Sequence, residues 1–120
     1  MIIHSHLLHP STKSRLLKQS QSIKVWRILK HTREQHDFRV TSTLLDSVLS
    51  AGQLLEWHND AGTERLLFDY DGRHWVFDLD DKTLVTSYVP NNAKTILLSR
   101  KNTRGLFSKK QNGYFIKSSK

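Results

Sequence analysis

The sequence predicts an α+β domain, with N-terminal helices packed on one face of a four-stranded antiparallel β-meander. Three observations point there. Two stretches in the first half repeat apolar residues at helical spacing. Four later stretches, "QLLEWH", "TERLLFDY", "RHWVFDL" and "TLVTSYV", have strand length and are rich in aromatic and β-branched residues. Turn chemistry separates them: "NDAG", then Asp71-Gly72, then Asp80–Lys82. An Asp-Gly pair between apolar runs is among the stronger short-range hairpin signals. Helices followed by a run of strands segregate onto one face of the sheet.

The elements follow in order. Residues 1–22 read as a partly ordered basic segment. A short helix can start in "HPSTKSRLLKQ", capped by Ser11 or Thr12, and "QSQS" reads as a break. His4, His6 and His9 lie close together, but no acid or Cys accompanies them, so they read as surface positions. A helix is expected from Arg27 to about residue 38, although "IKVW" also fits a strand leading into it. The next helix is capped by Thr41 or Ser42 and carries Leu44, Leu45, Val48 and Leu49 at helical spacing. Gly52 is placed to end it in a left-handed cap. Within the meander, Leu66, Phe68 and Tyr70 share one face, as Trp75, Phe77 and Leu79 do on the next strand. Pro90 closes the meander. "KTILLSR" fits an edge strand or short helix, and "YFIK" a last short strand. The expected organisation is therefore a segment over 1–22, a core over 23–93 and a basic extension over 94–120.

Composition narrows the classes. With 120 residues, 37% of them hydrophobic, the chain can bury its own core without a disulfide or metal staple. It has no cysteine, which excludes thiolate catalysis and Cys-based zinc sites. No run approaches a membrane span and the start lacks signal-peptide character, so the expectation is a cytoplasmic protein without a membrane partner. Charge is unevenly spread: net +7 over residues 1–33, −7 over 34–93 and +8 over 94–120, giving +8 in all. Two basic ends can attract a polyanion. They can also fold back on the acidic middle.

Chemistry could sit in "KHTREQHDFR", residues 30–39. His31 and His36 are about 140° apart on an α-helix, a poor metal pair. Arg33, His36 and Arg39 share a helix face. A His flanked by Arg suits RNA cleavage, which needs a base for the 2′-hydroxyl, a cation for the phosphate and an acid for the leaving oxygen. A solvated helix face is the plainer reading. Thr86, Ser87 and Tyr88 end a strand near a Pro turn, where hydroxyls can orient a phosphate. Arg65, and less so His74, can lie over the same sheet. There is no Gly-rich phosphate loop, no GxSxG elbow and no calcium-loop spacing, so neither cofactor nor metal is expected.

The order of parts, "His31-x-x-x-x-His36-x-x-Arg39", then "VTSTLLDSVLSAG", "LLEWH" and "RLLFDYDGRHWVFDLDDKTLVTSYVP", resembles the barnase–EndoU–colicin–RelE superfamily of small metal-independent RNases. It looks most like their phage-borne and polymorphic-toxin relatives, over roughly residues 22–92. Gln35 stands where that pattern often has a basic residue. The resemblance implies an endoribonuclease acting on structured RNA such as tRNA by 2′-hydroxyl attack, with an acidic inhibitor or immunity protein as a further partner. It implies His31 as general base or acid, Arg65 or Arg39 on the phosphate, and Thr86 and Tyr88 orienting the substrate. The basic residues Arg33, His36, Arg100, Lys101, Arg104, Lys109 and Lys110 would hold the RNA backbone. The alternative is a non-catalytic module that binds nucleic acid or a host protein through its basic ends.

Overall fold

The computed structural model describes residues 1–29, 40–90 and 114–117. A seven-stranded mixed sheet dominates, with strands β1 (Ile2–His4), β2 (Val25–Ile28), β3 (Gln53–Asp60), β4 (Thr63–Tyr70), β5 (Arg73–Asp78), β6 (Thr83–Tyr88) and β7 (Tyr114–Lys117). Among the described residues two α-helices accompany it, α1 (Pro10–Ser22) and α2 (Ser42–Ala51).

The expected four-stranded meander is the middle of this sheet, not the whole of it. Strand order is β1-β3-β4-β5-β6-β2-β7. The meander forms where local turns enforce it. Ala61 and Gly62, then Asp71 and Gly72, all take positive φ (53°, 87°, 53° and 74°). Two consecutive left-handed residues give a hairpin turn whose twist matches that of the strands.

The expected helix from Arg27 is a second correction. Val25–Ile28 is a strand, running parallel to β6 with Arg27 opposite Thr83 and Ile28 opposite Leu84. Trp26 and Ile28 alternate into the core, and Val25 and Arg27 point the other way. That period of two wins because β6 offers a partner, which local spacing could not reveal. Residues 30–39, the rest of that expected helix, lie outside the described residues. β7 lines up antiparallel on β2, and β1 antiparallel on β3. The first and last segments thus contribute edge strands to one sheet.

Helix α1 also departs from expectation. It runs through "QSQS" to Ser22, and His9 caps it: Nδ1 accepts from the Ser11 N–H at 3.1 Å. A Pro in its first turn loses no intrahelical bond. Leu16 and Ser20, one turn apart, are its buried face. Thr41 caps α2, its hydroxyl accepting from the Leu44 N–H at 3.2 Å. Gly52 ends α2 with φ −68°, so it is extended rather than left-handed.

Both helices contribute to the main core. Leu16, Leu45, Val48 and Leu49 meet Trp26, Ile28, Leu66, Phe68, Trp75, Phe77 and Leu84 of the sheet. Phe77 is wedged edge-on against Trp26 and Phe68, with ring centres 5.0 and 5.6 Å away. Burying each such aromatic or Leu stabilises the fold by roughly 1.5–3 kcal/mol. The opposite sheet face carries a smaller buried cluster of Leu67, Val76, Val85 and Tyr88, with Leu55 against it. No helix among the described residues is long and apolar enough to cross a membrane.

Candidate active site

The sheet face opposite α1 and α2 gathers the polar side chains. A β-bulge in β3 between Leu54 and Glu56 sets its pattern. Leu54 and Trp57 belong to the helix side, while Glu56 opposite Leu67, and His58 opposite Arg65, belong to the other. The next strands add Arg65 and Leu67, then His74, Val76 and Asp78, to that face. A second bulge in β6, at Val85, lets Thr86 oppose Val76 and Tyr88 oppose His74. Of the site residues expected from sequence, Arg65, Thr86 and Tyr88 therefore do share one face. His31, Arg33, His36, Arg39, Arg100, Lys101, Arg104, Lys109 and Lys110 lie outside the described residues.

Arg65 is placed within the sheet rather than on its surface. It is 1% exposed, and its Nε donates to Asp78 Oδ2 at 3.0 Å; Asp78 is 0% exposed. The other Asp78 oxygen accepts the Asp81 N–H at 2.9 Å, which holds the β5–β6 turn. A guanidinium paired this way ties β4 to β5.

Sequence reasoning missed the pair with the clearest acid–base character, Glu56 and His58. Glu56 is 8% and His58 6% exposed. Their Oε1 and Nε2 atoms stand 3.6 Å apart, and neither has a hydrogen-bond partner among the described residues. The second Glu56 oxygen faces Nδ1 of the exposed His4 at 3.3 Å. Burial pushes the His58 pKa below its ordinary 6.5; the negative Glu56 opposes that shift, and the N-terminal ammonium and Arg65 reinforce it. The imidazole is therefore neutral near pH 7, the form a general base needs. The signal was present as "EWH", where strand alternation puts Glu56 and His58 on one side.

Tyr88 completes the arrangement. Its ring meets His74 edge-on at 5.5 Å. Burial first, and the charge of Glu56 second, raise its pKa above 10, so the phenol keeps its proton as a hydrogen-bond donor. Among the described residues, no group of three His, Asp or Glu is placed to hold a metal ion. The arrangement offers a neutral imidazole, a carboxylate to stabilise it once protonated, and a phenolic donor on one surface.

Comparison with known proteins gives no match among family models, curated proteins or solved structures.

Proposed function

We propose that this protein is an RNA-directed acid–base enzyme, an endoribonuclease of the metal-independent type, with its chemistry on the sheet face opposite the helices. The observation that carries the reading is the Glu56–His58 pair: two buried, unsatisfied atoms, 3.6 Å apart, on an imidazole held neutral. A substrate hydroxyl that reaches Nε2 can donate its proton there, and the Nε2–H that results then has Glu56 Oε1 as an acceptor beside it. The basic balance of +8 supports a polyanionic substrate.

In this reading His58 takes the proton of a ribose 2′-hydroxyl, and Glu56 stabilises the imidazolium that forms. The 2′-oxygen attacks the adjacent phosphorus, the bond to the 5′-oxygen breaks, and a 2′,3′-cyclic phosphate results. The departing oxygen must receive a proton. His31, the position carried by the resemblance, is the candidate donor. Tyr88 donates a hydrogen bond to the phosphate, and Thr86 beside it orients the substrate. The substrate supplies the nucleophile, so this route requires no metal.

Incubation with total RNA and tRNA, with and without EDTA, tests this. Wild type should cut in EDTA, while His58→Gln should lose about 10²–10⁴-fold of the rate. Absence of cutting, or cutting indifferent to His58→Gln, rejects the catalytic reading. The burial of His58 and Glu56 favours a second reading, a binding module for nucleic acid or a host protein. It would show salt-dependent binding without cleavage.

A further inference from the structure

We infer that a groove along α1 binds the sugar–phosphate backbone of single-stranded RNA, as a contact surface separate from the Glu56–His58 site. This rests on the RNA-directed reading for the identity of the ligand, but not on any chemistry at His58.

Two shallow depressions join on one side of the helix. The first, about 620 Å³, is lined by Ser11, Ser14, Arg15, Lys18, Gln19 and Ser22. The second, about 430 Å³, shares Gln19 and Ser22 and adds Ile23, Lys24, Val25, Leu79 and Lys82. Ser11, Ser14, Lys18 and Ser22 fall three to four residues apart, so they form one stripe along α1. From Ser11 to Ser22 that stripe is about 16 Å long. Beyond it the groove turns past the start of β2 to the β5–β6 turn.

Its charge is one-sided. Hydroxyls, an amide, ammonium groups and the Arg15 guanidinium line it beside apolar Ile23, Val25 and Leu79, and no carboxylate does. The polar ones are the side chains that contact phosphate and sugar without reading sequence. Arg15 is already committed, its two terminal nitrogens meeting the Glu64 carboxylate at 3.2 and 2.8 Å. Lys18, Lys24 and Lys82 are exposed and have no acidic partner among the described residues. A row of cations without acidic partners among the described residues, along a groove whose apolar stretch can take sugar and whose hydroxyls can take phosphate, matches a regularly spaced polyanion.

The groove also touches, at β2, the sheet face that carries the proposed site four strands away on β3. It reaches Val25, which alternates with Trp26 and so belongs to the sheet face of Arg27 and Thr83. A strand crossing that face near β2 can pass the sheet's end and continue along α1.

The experiment measures binding of a short 2′-O-methyl oligoribonucleotide, which cannot be cleaved, as a function of salt. Wild type is compared with K18Q/K24Q/K82Q, three exposed positions whose replacement leaves the core intact; circular dichroism verifies the fold. The triple variant should bind more weakly, and its log–log salt slope should fall by about 2, from roughly 0.7 per lost phosphate contact. Unchanged affinity and slope in the variant would overturn the groove while leaving RNA binding elsewhere intact. No binding by wild type overturns the groove and the RNA-directed reading together. Capture of wild type by phosphatidylserine vesicles but not by the oligonucleotide assigns the groove to a lipid surface and also overturns it.

Discussion

Glu56 Oε1 lies 3.6 Å from His58 Nε2; strand alternation puts both side chains on one sheet face, and the bulge of β3 just before them sets which face. His58 is held neutral, with its pKa below 6.5, chiefly by burial. This has a consequence for stability. The unfolded chain takes up a proton at His58 at a higher pH than the folded chain does. The stabilisation is therefore complete above about pH 6.5 and is lost as pH falls through the folded value. Denaturation midpoints should decline on acidification from neutrality, and His58→Gln should flatten that decline. An equal decline in the variant would place the acid sensitivity elsewhere.

Arg65 and Asp78 form a buried pair across β4 and β5. Asp78→Asn keeps an acceptor for the Asp81 N–H but leaves the guanidinium without its counter-charge. The loss should be about 3–5 kcal/mol. Adding Arg65→Met should restore part of it, since the stranded charge is then gone. Equilibrium urea unfolding of the two single variants and the double variant measures the coupling. Additive losses would mean the pair is not coupled.

Tyr88 separates chemistry from packing. Tyr88→Phe keeps the ring against His74 and removes only the hydroxyl. If the phenol donates to the phosphate in the transition state, single-turnover RNA cleavage should slow about 10²-fold with little change in binding. The raised pKa adds a signature: wild-type cleavage should show no loss from Tyr88 ionisation below pH 10. Equal rates for Tyr88→Phe would remove the phenol from the mechanism.

Gly52 is held by space rather than by dihedral angle. A Cβ there would stand 2.3 Å from the Val48 carbonyl oxygen and 3.4 Å from that of Asp69. Gly52→Ala should therefore cost about 1–3 kcal/mol, as overpacking does, although its φ of −68° suits alanine. A shift of the urea midpoint measures it. A neutral result would show that the end of α2 yields easily.

What the sequence revealed followed the range of the interactions. β3 to β6, their turns, the facing of Leu66 with Phe68 and of Trp75 with Phe77, and the Thr41 cap all rest on neighbours a few residues apart. Those were legible. "YFIK" was also legible as the strand β7, though not its place beside β2. β1 and β2 are short, and each depends on a partner far along the chain, so "IKVW" remained open between two structures. The site divides the same way. Alternation puts Glu56 and His58 together, but only the fold buries them. The pairing of Arg65 with Asp78 was not legible, because the two lie 13 positions apart on neighbouring strands. The left-handed cap at Gly52 was inferred from residue type, whereas the close approach of the Val48 carbonyl, one turn back, follows from how the helix end bends into β3.

The parallel seam between β2 and β6 bears on how the chain assembles. Arg27 and Thr83 are 56 positions apart, and Met1 and Asn59 are 58 apart. The hairpins of β3 to β5, by contrast, close over Ala61-Gly62 and Asp71-Gly72. Closing long loops costs entropy before any contact repays it. The sheet should therefore grow outward, from hairpins that nucleate on microsecond scales to flanking strands that join later. In native-state hydrogen exchange, the amides of β1 and β7 should open first, and those of β4 and β5 should exchange only through global unfolding.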